Sequence, residues 1–244
     1  MNKAFTLIEL AIVVVILGLI TVGVLGAQSL IESAKRQAIV KEFQQYNLAI
    51  NAYYLEYDAI PGDHSTASEW LPGADNGDGD KRIDGVTPVQ ESRFFWQHLT
   101  LAEIIPGEYG MTLWSSLIKP DVPTTVLGED TGWYIFYSGV AGHGWKFSDT
   151  PIYGKRGNLM GTGSTRGDSW LDGGTSTGRE ARKIDEKIDD GKAAEGKFFA
   201  IKGRIRGSVW DSGCVDQEPL YQGIDVTYDL TSDQKSCHLV FWLD

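Results

Sequence analysis

Residues 10–27 run without a single charge, and only Thr21 among them is polar. At the α-helical rise such a run extends about 27 Å, close to the hydrocarbon thickness of a bilayer. The segment is therefore either a membrane-spanning helix or the apolar core of a secretory signal. The second reading has support, because Met1-Asn2-Lys3 is a short basic start and Gly26-Ala27 offers small residues for cleavage. Glu9 separates the two. A carboxylate at the centre of an inserted helix costs on the order of 2.5 to 3.5 kcal/mol, and less near an end, so one kept there needs a partner. A peptide about to be discarded has no use for that cost.

Charge divides the chain of 244 residues at the same place. Residues 1–50 carry Lys3, Lys35, Arg36 and Lys41 against Glu9, Glu32 and Glu42, while residues 51–244 carry a net charge of −12. A head so acidic repels phosphate backbones, which argues against nucleic-acid binding. Its share of the 29 glycines, 8 tryptophans and 10 tyrosines suits a loop-rich, β-containing head outside the cytoplasm.

The residues around Glu9 carry a resemblance. Met1-Asn2-Lys3-Ala4, followed by Phe5-Thr6-Leu7-Ile8-Glu9-Leu10 and the unbroken apolar run, closely resembles the N-terminus of the type IV pilin family, which includes the type II secretion pseudopilins. The resemblance is dense over residues 1–30, and Ala4 stands where the family most often has Gly. It implies that a prepilin peptidase/N-methyltransferase cuts between Ala4 and Phe5 on the cytoplasmic side and methylates the new amine. The helix is then kept as a membrane anchor and later as a filament core. Glu9 becomes the fifth residue of the mature chain. Inside an apolar core its charge is neutralised by the Phe5 amine of an adjacent subunit, a pair whose value is axial register more than net stability.

Beyond the anchor, Ile31, Ala34, Ala38, Phe43, Tyr46, Ile50, Tyr53 and Tyr57 recur at spacings of three or four with one slip of five. That pattern continues the helix as an amphipathic stem whose aromatic face docks a sheet. A helix over residues 5–57 reaches roughly 80 Å, and Gly18, Gly23 and Gly26 each weaken it by about 1 kcal/mol relative to Ala. Turn chemistry at Ile60-Pro61-Gly62-Asp63 ends it. The pattern predicts helices over 92–105 and 179–190, a buried strand over 133–137, a half-exposed strand over 199–209 with Phe199 and Ile201 inward, and a closing strand over 238–242. Eleven glycines between Gly139 and Gly178 read as long exposed loops, with room for short strands among them. The expected organisation is a leader at 1–4, a transmembrane or filament-core helix at 5–30, a stem at 31–58 and an extracytoplasmic head at 59–244. Its fold class is α+β: a long N-terminal helix packed on an antiparallel sheet with Gly-rich loops.

Asn76, Asp78, Asp80 and Asp84 occupy positions 1, 3, 5 and 9 of an EF-hand-type loop, with the Arg82 carbonyl at 7. Hard oxygen ligands in that order suit calcium. Lys81 stands where the sharp turn takes Gly, and Thr87 where a bidentate Glu closes the shell, with Asp75 or Glu91 as substitutes. A solvated acidic turn suits the same residues. His64, His98, His143 and His238 have no metal-ligand spacing. Gly161-Thr162-Gly163-Ser164-Thr165-Arg166-Gly167 lacks both the dinucleotide fingerprint and the P-loop Lys. Asp185, Glu186, Asp189 and Asp190 sit among Arg182, Lys183 and Lys187 and read as helix-surface ion pairs, and Trp70, Trp145 and Trp170 as core.

Only Cys214 and Cys237 carry thiols. Outside the cytoplasm a bridge between them contributes about 3 kcal/mol in the chain-entropy account, the alternative being two buried thiols. No catalytic constellation stands out, so the expectation is not an enzyme. It is a subunit of a pilus-like surface filament, made by inner-membrane assembly machinery from a membrane-held precursor and ending in an extracellular pilus or a periplasmic pseudopilus. A minor pilin or secretion pseudopilin is the alternative, and a membrane-tethered binding module or enzyme stands further off.

Overall fold

The computed structural model describes residues 6–83, 91–109, 121–138, 155–165, 171, 173–205, 209–210, 212–216 and 226–243. One uninterrupted helix, α1 (Leu7–Tyr57), makes up the N-terminal part. Its 51 residues extend about 77 Å. Thr6 caps it, and Asp58, in left-handed backbone at φ 52°, ends it with its N–H donating to Tyr54 O. The anchor half is bare: Leu7, Leu10, Ile12, Val15, Leu19 and Val22 are all exposed. That half is long and apolar enough to cross a membrane.

The stem half is not bare. Ile39 and Tyr53 are fully buried and Ala49 nearly so, with Val40, Phe43, Tyr46, Ile50 and Tyr57 packed beside them. The buried stripe thus begins at Ile39. Ile31 and Ala34, expected on it, lie beyond the reach of the head and stay exposed.

Among the described residues, seven strands and three shorter helices follow. They are α2 (Ala67–Trp70), α3 (Glu91–Leu101), β1 (Thr124–Thr125), β2 (Gly128–Ser138), β3 (Gly157–Ser164), α4 (Gly178–Ile188), β4 (Phe198–Lys202), β5 (Arg204–Ile205), β6 (Val209–Trp210) and β7 (Cys237–Trp242). Five strands form an antiparallel sheet in the order β1-β2-β3-β7-β4, and β5 pairs with β6 separately. The stem lies against one face, where Phe43 stacks on Phe241 at 4.2 Å and Tyr46 meets Trp133 and Trp96 edge-on. On the other face Leu159, Phe199, Ile201 and Val240 form a smaller cluster.

Two expectations change here. The strand over 199–209 is broken at Gly203, and its first part is buried on both faces, Ala200 as completely as Ile201. The strand allowed for in the Gly-rich stretch is a buried one of eight residues, β3, which pairs along its whole length with β2. Gly161 and Gly163 within it leave room for the Tyr134 ring and the Leu171 backbone, which a Cβ would meet at 2.5 and 2.0 Å. Trp70 is 66% exposed rather than core, and Trp145 and Trp170 lie outside the described residues.

Candidate functional site

Where the stem enters the head, the turn after α1, the loop over 71–83 and the first turn of α3 converge. Asp63 is 4% exposed and is wrapped by three consecutive amides. Gly79 N and Asp80 N donate to its Oδ1 at 2.7 and 3.0 Å, and Lys81 N to its Oδ2 at 2.8 Å. Glu91 is fully buried, and its Oε1 accepts from Asp78 N at 2.9 Å. Asp78 Oδ1 and Asp80 Oδ1 each accept from the amide two residues on, at 3.1 and 2.9 Å. One carboxylate oxygen from each of Asp63, Asp78, Asp80 and Glu91 lies within 4.8 Å of the others. Burial pushes the Asp63 carboxyl up to about 6, the charges of Asp80 and Asp78 push the same way, and the amides of Lys81 and Gly79 oppose them.

The backbone is shaped for this approach. Gly62 has φ +91° and Gly77 sits against it: a Cβ on Gly77 would stand 2.4 Å from Gly62 O and 2.5 Å from Asp63 Cα. The turn expected of a Gly six residues into the loop is made by Lys81 itself, at φ 70°. Its amide bond to Asp63 offsets the steric cost of left-handed backbone in a non-glycine residue.

Of the sequence candidates, Asp78 and Asp80 stand in the cluster, and Glu91 joins them as the distant carboxylate. Asn76 Oδ1 accepts from Ser68 N at 2.8 Å, tying the loop to α2. Arg82 brings its guanidinium, with Nε 3.5 Å from Asp80 Oδ2 and the group over the Tyr137 ring. Asp84 and Thr87 lie outside the described residues. Asp75 has another role, its carbonyl accepting from His98. Asp63 was not foreseen as a ligand. It falls 15 residues before Asp78, in a segment whose Pro-Gly pair speaks only of a turn, so no spacing rule connects the two. A carboxylate that accepts an amide hydrogen bond keeps lone pairs for a cation, and calcium takes six to eight such oxygens. The donor set is compatible with calcium.

Two histidines brace the site. Gly62 N donates to His98 Nδ1 at 2.9 Å, so the proton of the neutral ring is on Nε2, which faces Asp75 O at 2.7 Å. Tyr53 Oη is 2.8 Å from His64 Nδ1, linking the stem to the same turn. Glu91 and His98, two helical turns apart on α3, thus clamp the loop and the turn from one side.

At the other end of α1, Glu9 accepts from Thr6 N and Thr6 Oγ1, both at 2.8 Å, and Glu9 N donates to Thr6 Oγ1 at 3.4 Å. This is a capping box, legible as Thr6-Leu7-Ile8-Glu9 before an apolar run. Ala4 and Phe5 lie outside the described residues. Cys214 and Cys237 are joined in a disulfide, Cα to Cα 4.9 Å, which fastens the interior strand β7 to the segment after β6. Compared with protein-family models, curated proteins and solved structures, the chain matches none.

Proposed function

We propose that the chain is a structural subunit of a type IV pilus-like surface filament, held in the inner membrane by its N-terminal helix before assembly and packed through that helix afterwards. The observation that carries this reading is the division of α1. Its first half is apolar and uncovered, while its second half is built into the head from Ile39 onward. A membrane or a bundle of like helices supplies the missing cover. In the assembled state Glu9 pairs with the Phe5 amine of a neighbour, and the acidic head faces the medium for adhesion, motility or uptake. The same architecture serves a minor pilin or a secretion pseudopilin, and abundance in sheared surface material separates these from a major subunit.

Mass spectrometry of the native N-terminus, with electron microscopy of sheared material, tests the proposal. N-methylated Phe5 and filaments are expected. A native start at Gln28 or later means ordinary signal cleavage and overturns it. Asp63, Asp78, Asp80 and Glu91 are proposed to hold calcium, with a structural role at the joint between stem and head.

A further inference from the structure

A second group of carboxylates lies at the C-terminal end of α4, away from the stem joint. The sequence reads residues 185–190 as surface ion pairs, and Arg182 with Glu186 does form one at 2.8 Å. Asp185 does not. It is 0% exposed, its Oδ2 accepts from Tyr228 Oη at 2.7 Å, and its Oδ1 has no hydrogen-bond partner. The Gly191 amide lies close enough to the carboxylate to stabilise its charge, against the burial that opposes it. One oxygen each from Asp185, Asp189 and Asp190 stands within 4.8 Å of the others.

Three features of this arrangement are adverse unless a cation is present. Asp185 and Asp189 are like charges at i and i+4. All three sit at the negative end of a helix dipole. A buried carboxylate oxygen without a partner carries its full desolvation cost. Yet the group is held firmly. Each carboxylate has one oxygen fixed by a donor of the protein: Asp185 by Tyr228, Asp189 Oδ2 by the amides of Lys197 and Phe198, and Asp190 Oδ1 by the amide of Lys192 at 2.9 Å. Such outer contacts orient the remaining oxygens, as they do around bound metals.

We propose that Asp185, Asp189 and Asp190 form a second divalent-cation site, one that takes calcium. Oxygens on opposite sides of a calcium ion stand roughly 4.6 to 5.2 Å apart at ordinary ligand distances, so an ion can be shared by all three. The site ties three parts of the head together. Asp189 reaches the start of β4, Asp185 reaches Tyr228, and Tyr228 pairs with Val215 next to the disulfide. Magnesium, which demands stricter octahedral geometry and keeps its waters, fits less well.

The test uses the full chain in detergent, freed of metal with a chelator and titrated with calcium chloride. Asp78→Ala with Asp80→Ala removes ligands of the first site and provides the background. In that background calcium is expected to raise the thermal midpoint by several degrees, in proportion to the logarithm of its concentration once saturated. Adding Asp190→Asn, an exposed change that leaves the buried network alone, is expected to weaken calcium binding at least tenfold. Adding Asp185→Asn is expected to abolish the response and to raise the midpoint in metal-free buffer, because it removes a buried charge crowded by Asp189 and Asp190. A background protein indifferent to calcium overturns the proposal. So does a calcium response that survives both Asp190→Asn and Asp185→Asn.

Discussion

Trp133 Nε1 donates to Glu42 Oε2 at 3.1 Å, and Val126 N donates to the same oxygen at 3.4 Å, so one stem carboxylate holds the sheet by two donors. The Trp133 ring is fully buried, which leaves its N–H no water to fall back on. Glu42→Ala is expected to lose about 1 to 3 kcal/mol, the cost of orphaning a buried donor. Burial pushes the Glu42 carboxyl up, so in its ionised form it is a strained acceptor, and the stability it contributes fades as pH rises through its folded value. Glu42→Gln keeps an acceptor without the charge and is expected to match or exceed the parent at neutral pH. Thermal midpoints of the two variants check this; equal losses from both would count against the hydrogen bond as the cause.

The clamp at His98 gives a pH dependence of known sign. Burial pulls its imidazole down to about 4, the nearby His64 adds to that, and the Asp75 carbonyl and charge oppose it. The unfolded ring titrates near 6.5, so between the two values the unfolded chain binds a proton that the folded one refuses. Stability from this group is therefore complete above pH 6.5 and falls by up to about 1.4 kcal/mol per pH unit on acidification toward 4. Asp63 and Asp185, both raised from 3.8 to about 6, act in the opposite direction from about pH 6 down to about 4. Subtracting the profile of His98→Gln from that of the parent isolates the histidine. A flat difference between pH 6.5 and 4 refutes the assignment.

Gly77→Ala places a methyl against backbone rather than against a yielding side chain, since the nearest atoms are Gly62 O, Asp63 C and Asp63 Cα. The loop must retreat from Asp63, and the three amide hydrogen bonds stretch. We expect a loss of about 1 to 3 kcal/mol, at the level of overpacked sites. Gly73→Ala is the control for position in the loop: its φ of +89° strains a side chain, but nothing stands within 4 Å. Urea unfolding of both variants is the measurement, and a Gly77 change milder than the Gly73 change would contradict the close approach.

Glu9 caps the helix, and under the proposed function it also pairs with a neighbour's amine; one pair of substitutions separates the two. Thr6→Ala removes the partner in the capping box and costs the helix about 1 kcal/mol at its end, leaving the carboxylate free to find a neighbour's amine. Glu9→Ala removes both. Membrane insertion is expected to survive in each, and filament yield to collapse only in Glu9→Ala. If Thr6→Ala abolishes filaments equally, the carboxylate serves the cap and not the intermolecular pair.

For the joint site, Asp78→Ala with Asp80→Ala is expected to remove calcium binding there while leaving the chain folded, because both side chains are exposed. Asp63→Ala is expected to unfold the joint with or without calcium, since it strips the acceptor from three amides. Calcium binding by competition with a chromophoric chelator, alongside the thermal midpoint, reads both. A truncated head starting near Tyr57 is unsuitable for the purpose, because it would lack Ile39, Ala49 and Tyr53 from the core.

Local patterns were legible in the sequence, and contacts between distant segments were not. The anchor, the stem, α3, α4, the second half of β2 and nearly all of β7 announce themselves through periodicity and end signals, and the two cysteines find each other once the head is taken to be exported. The stem stripe was displaced because Ile31 and Ala34 obey the helical period, but period alone does not say where the head begins. The extent of β3 was hidden because glycine at 157, 161 and 163 reads as loop until Tyr134 and Leu171 are seen against it. At the site, Asp78 and Asp80 were visible through alternation, whereas Asp63 and Asp185 matter through burial, which no one-dimensional spacing reports.

The unbroken course of α1 from Leu7 to Tyr57 makes it a mechanical lever if its apolar end is held, as the proposed function requires. Tension applied at the apolar end meets no break in the helix before Ile39, so it arrives as shear between the stem and the sheet. Phe43 on Phe241 and Glu42 on Trp133 take that shear first. Phe241 belongs to β7, which is flanked by β3 and β4 and riveted by Cys237 to Cys214. Pulling on the helix therefore strains a strand held along both edges, and reduction of the disulfide should lower the force at which the head gives.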